Sequence, residues 1–146
     1  MDPRVEQYEA AEREARLLVR KQRTQFSSWT FEPDRDTDTP PAVMGWVRRF
    51  VTNLNALRKC RHGGNSQVHL VYGVEPNRGY CLAKCARQRA RDLDDASKGR
   101  TNADCDFCGR HFPGAALAPV VFNVSAVVVR ANICAECLTA GAEVPA

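Results

Sequence analysis

The sequence predicts a small α+β protein. Two amphipathic helices come first, followed by two cysteine-bearing modules that each consist of a hairpin and a short helix. Three observations lead there. The chain has 146 residues, 44% of them hydrophobic but only 8% aromatic, and much of the apolar share is Ala and Val, which bury little area per residue. Apolar residues up to Lys59 recur at helical spacing, whereas Gln67–Gly73 and Ala115–Ile133 read as strands. Seven cysteines and three histidines all lie from Cys60 onward, and a core this thin needs a second source of stability.

The elements follow in order. Residues 1–26 form an N-terminal amphipathic helix: Asp2 is a capping residue, Pro3 suits the first turn, and Val5, Tyr8, Ala11, Ala15, Leu18 and Gln22 make a stripe. Pairs Glu9–Arg13 and Glu12–Arg16 have the favourable i,i+4 orientation. A stripe with two alanines is weak for a coiled coil, so this helix packs on the rest of the protein or on a partner. Residues 27–41 are an acidic, Pro-rich linker, with Trp29 and Phe31 as anchors. Residues 42–99 hold a second helix and the first module. Val43, Trp46, Val47, Phe50, Leu54 and Leu57 give that helix one apolar face ending near Lys59, with Trp46 and Phe50 as core. A hairpin then precedes Cys81, and a helix runs from Cys81 to Asp95, stopped by Lys98-Gly99. Residues 100–146 are the second module, a Val-rich hairpin ahead of the last cysteine pair.

The chain starts with charged residues, which is unlike a secretory signal, and its most apolar stretch is interrupted by Pro119, Asn123 and Ser125. The expectation is therefore a reducing, cytoplasmic setting with no membrane span, where close cysteines ligate metal rather than form disulfides. Cys105-x-x-Cys108 and Cys134-x-x-Cys137 together make one tetrahedral all-sulfur site. Gly109 permits the positive φ that such a turn often needs. Cys60, Cys81 and Cys85 leave a second site one ligand short. His62, two residues from Cys60, is the expected fourth, with His69 and His111 as the alternatives. Cys81 and Cys85, four apart, would share the first turn of the helix. Two zinc ions per chain are expected, each closed by four protein ligands and therefore structural.

The segments CDFCGR and NICAECL, separated by the Val-rich hairpin, resemble the N-terminal zinc-binding domain of the ClpX unfoldase, a treble-clef finger, over roughly Cys105 to Leu138. The resemblance implies that Cys105, Cys108, Cys134 and Cys137 are ligands, the last two at a helix start, and that this is a dimerising, protein-binding module. A homodimer would then form through the C-terminal finger. The earlier half looks like a divergent treble clef of the same plan, which makes two treble-clef-like zinc fingers in all.

No zinc-protease, serine-hydrolase, deaminase or phosphate-loop motif is present, so the sequence reads as a non-enzyme. Charge suggests the partner. The net charge is +4, yet Gly45–Arg91 holds ten basic residues against one acid, Glu75. Clustered arginine displaces counterions from a polyanion, so the expected nucleic-acid contacts are Arg48, Arg49, Arg58, Arg61, Lys84, Arg87, Arg89 and Arg91. The competing reading is a phage- or plasmid-type adaptor or assembly component that docks on a larger protein machine. It would use the apolar hairpin 115–129 and the N-terminal helix.

Overall fold

The computed structural model describes residues 3–25, 29–53, 56–60, 68–82 and 84–139. It is a mixed α+β fold with a six-stranded sheet between two helices. Helix α1 is Pro3–Gln25, strand β1 Trp29–Phe31, helix α2 Pro41–Asn53, β2 Arg58–Lys59, β3 His69–Tyr72 and β4 Arg78–Cys81. Helix α3 (Cys85–Ser97) follows, then a small hairpin of β5 (Asn102–Asp104) and β6 (His111–Pro113). Strands β7 (Leu117–Val124) and β8 (Val127–Cys134) and the short helix α4 (Ala135–Thr139) complete it. The order in the main sheet is β1-β7-β8-β3-β4-β2.

The β7–β8 hairpin is the centre of the sheet and the reason for the valine run. Residues alternate between faces along a strand, and here both faces are covered. Val120, Phe122, Val124, Val127, Val129, Ala131 and Ile133 pack under α2 through Val43, Trp46 and Phe50. Val121 and Val128 face α1, meeting Ala11, Ala15 and Val19. Alanines on α1 let the helix lie close to the sheet, so the weak stripe is a packing surface. The hairpin 115–129 was one expected docking surface. Val120 to Val124 and Ala126 to Val129 are instead buried, and α1 packs on the sheet through Ala11, Ala15 and Val19.

Strand β8 pairs in parallel with β3, placing Val129 beside Val71. Both cysteine modules therefore share one sheet. The stretch 27–41, expected as a linker, contributes β1, which adds to β7 with Phe31 beside Phe122. Helix α2 ends at Asn53 rather than near Lys59. Thr52 and Asn53 side chains donate back to the Arg48 and Arg49 carbonyls, at 2.9 and 3.1 Å, local bonds that compete with the helical ladder at this end. The chain then returns as edge strand β2, parallel to β4. Among the described residues no helix is long and apolar enough to cross a membrane.

Candidate metal centres

The four-cysteine group is assembled from three elements. Cys105 and Cys108 lie in the turn between β5 and β6, Cys134 ends β8, and Cys137 lies in α4. Their sulfurs all fall within 4.8 Å of one another. The Cys105–Cys137 and Cys108–Cys134 separations are each 3.9 Å. A tetrahedral ion bonded to sulfur at about 2.3 Å sets neighbouring sulfurs about 3.8 Å apart, whereas a disulfide needs about 2.05 Å. The group therefore fits a metal ion, and all seven cysteines are free thiols.

Local backbone chemistry explains the turn. Gly109 has φ +75, and its N–H donates to the Cys105 carbonyl at 2.8 Å while the Cys105 N–H donates to the Arg110 carbonyl at 2.9 Å. The Cys134 N–H reaches the Cys105 sulfur at 3.4 Å. Hydrogen bonds from the Arg110 backbone and side chain pull the Cys108 thiol down to about 6. Burial, then hydrogen bonds with the other thiols, pushes Cys137 far up. Thiols crowded this closely cannot all ionise alone, and a divalent cation removes that conflict.

The turn is fixed to the core by Phe107, whose ring lies 4.7 Å from Trp46 and 6.5 Å from Phe122. Asp106 ties it to β8: its N–H donates to the Asn132 carbonyl at 3.0 Å, and its carboxylate accepts the Asn132 N–H at 2.7 Å. Arg110 also pairs with Glu136 of α4. Cys105 and Cys134 are buried, Cys137 half-buried and Cys108 exposed.

Cys60, Cys81 and Cys85 form the second group, again with sulfurs within 4.8 Å. The expected helix from Cys81 does not form there. Cys81 is the last residue of β4, opposite His69 of β3, and its N–H donates to the Cys60 sulfur at 3.3 Å. Cys85 opens α3 instead, and its N–H points at the Cys81 sulfur at 3.5 Å. That bond comes first among those drawing the Cys81 thiol down to about 7, while burial pushes Cys85 up to about 11. Sheet pairing thus holds Cys81 extended, and a strand end and a helix start meet at the metal group.

His62 lies outside the described residues, as does Arg61. Among the described residues the ligand atoms that converge here are the three sulfurs. His69 is buried next to Cys81 in register but stands outside that group. His111 bonds Asp104 at 2.7 Å on the surface of the small hairpin.

The basic residues divide into two sets. Arg48, Arg49, Arg58, Lys84, Arg87 and Arg91 are exposed, and among the described residues none has a carboxylate ion partner. Arg89 is committed elsewhere, with two guanidinium nitrogens on Glu75. Glu75 also accepts from Tyr80; burial opposes its ionisation, but these bonds prevail and keep it below the ordinary carboxylate value. Arg78, absent from the expected set, is exposed beside Arg58 in the β2–β4 register. A charge census by segment held that signal, but only the pairing reveals the juxtaposition.

Compared with known proteins, the chain matches no family model, no curated protein and no solved structure.

Proposed function

We propose that this protein is a non-enzymatic, zinc-stapled regulator that binds nucleic acid through its basic middle segment. The observation that carries the reading is the set of six exposed cations, Arg48, Arg49, Arg58, Lys84, Arg87 and Arg91, without carboxylate partners among the described residues. On α1, by contrast, Arg16, Arg20 and Arg23 each meet an acid. A patch left unneutralised favours a polyanion, because each phosphate contact releases condensed counterions.

Zinc is the ion we assign to both groups. Donor softness and tetrahedral spacing favour it in the sulfur quartet, and His62 would complete the three-cysteine group. Each site would then be closed and structural, an arrangement that stiffens a surface instead of activating water. The order of turn β5–β6, hairpin β7–β8 and helix α4 supports a treble-clef reading of the C-terminal module, in keeping with its likeness to the ClpX zinc-binding domain. Protein contacts and dimerisation through that module belong to the same reading, with its exposed turn around Cys108 as the available surface.

Binding of random DNA and RNA across a salt series tests the proposal. Affinity should fall linearly on a double-logarithmic salt plot. Absence of binding at low salt, or binding without a salt slope, contradicts it.

A further inference from the structure

We propose that Arg58 and Arg78, with Arg49 across from them, form a phosphate-binding site in the groove between α2, β2 and the β3–β4 turn. The inference deepens the nucleic-acid reading and rests on it for the identity of the molecule that carries the phosphate.

The groove is an open cavity of about 840 Å³ with Trp46 on its α2 side and Val74 on its turn side. Arg58 and Arg78 are direct partners in the parallel pairing of β2 with β4. Adjacent strands lie roughly 4.8 Å apart, and residues in register project to the same face, so two guanidinium groups stand side by side at the sheet edge. Like charges placed opposite each other are destabilising. A fold that sought only stability would put a carboxylate between them. Among the described residues it does not: neither arginine has an ion pair, and the only acid lining the cavity, Glu75, already accepts from Arg89 and Tyr80. It attracts Arg78 only through space.

Two further observations favour phosphate. Arg58 and Arg78 also line the adjoining groove of about 420 Å³ against α3, so the pair stands on the rim shared by both cavities and can be reached from either. The planar guanidinium fork matches two oxygens of one phosphate, which ammonium groups cannot do. In the α2 groove both aromatic side chains, Trp46 and Phe50, are only 7% exposed, which leaves charge rather than base stacking as the means of recognition there. Binding should therefore be indifferent to sequence.

The full-length, metal-loaded chain provides the test, with fluorescence anisotropy on a labelled oligothymidylate and calorimetric titration of inorganic pyrophosphate as the two probes. The double variant Arg58→Gln/Arg78→Gln is compared with Lys84→Gln/Arg87→Gln/Arg91→Gln on α3. The groove variant should lose about tenfold in oligonucleotide affinity, and its salt slope should drop by about 0.7, the signature of one lost single-strand phosphate contact. It should retain its metal and melt no lower than the parent, since a repulsion has been relieved; if it does lose metal, Arg78→Gln alone is read the same way. Oligonucleotide binding unchanged in the groove variant but lost in the α3 variant overturns the groove site and leaves the nucleic-acid reading standing. Failure of the parent to bind oligonucleotide, with pyrophosphate binding that the groove variant loses, sustains the site and assigns it to a small phosphate ester. Failure with both probes overturns both.

Discussion

Gly73 shows how closely the four-cysteine group is fitted to the sheet. A Cβ there would stand 2.5 Å from the Asp106 carboxylate and 2.7 Å from the Ala131 methyl, the same carboxylate that caps the Asn132 amide. Gly73→Ala should therefore cost about 1–3 kcal/mol, as overpacking does, and its urea midpoint measures the loss; an unchanged midpoint would mean that Asp106 moves aside freely. Glu75 makes the second residue-scale prediction. Its folded value lies below the ordinary one, so it contributes stability that is complete above the unfolded carboxylate value and disappears as pH falls through the folded one. Glu75→Gln should flatten the acid limb of a stability–pH profile recorded from neutrality down through the carboxylate range. Retention of the parental slope would show that the Arg89 and Tyr80 bonds do not matter to folding. Single residues were also where the sequence misled. Four-residue spacing of Cys81 and Cys85 reads as a helical turn, yet the ladder opposite His69 keeps Cys81 extended.

At the scale of elements, local spacing was readable and long-range pairing was not. C-x-x-C spacing is a property of one turn, so Cys105 and Cys108 announced themselves as a metal half-site, and the matching pair at Cys134 and Cys137 completed it. The parallel contact of β3 with β8 joins residues far apart in the chain, and no periodicity encodes a partner strand. The acidic stretch after α1 is a similar case. Its composition says linker, but Arg16, Arg20 and Arg23, spaced four and three along one helix face, bind Asp34, Glu32 and Asp36. Glu32 is buried and takes two bonds from Arg20, at 2.9 and 3.1 Å. Removing one partner of a buried charge leaves the other uncompensated. Arg20→Met should lower the melting temperature more than Arg16→Met, whose acid Asp34 is half-exposed; equal shifts would place β1 and its following turn outside the cooperative fold.

The whole molecule is a helix–sheet–helix sandwich whose two cysteine groups are fastened to one sheet. Cys134 ends β8, β8 pairs with β3, and β3 pairs with β4, which ends at Cys81. Loss of either metal should thus loosen the common sheet. Cys105→Ser is expected to shift unfolding to lower denaturant as one transition, and two separated transitions would show instead that the modules fold independently. The energetic scale is adequate: structural zinc binding is worth roughly 10–16 kcal/mol in small folds, comparable with the ~5–15 kcal/mol by which domains are stable at all. The central claim, that metal–thiolate coordination holds this polypeptide together, is tested most directly by a native mass spectrum of the folded chain. The account predicts a compact charge-state distribution carrying two zinc ions with all seven thiols reduced; a compact, metal-free species, or one lighter by the hydrogens lost to disulfide formation, would contradict it.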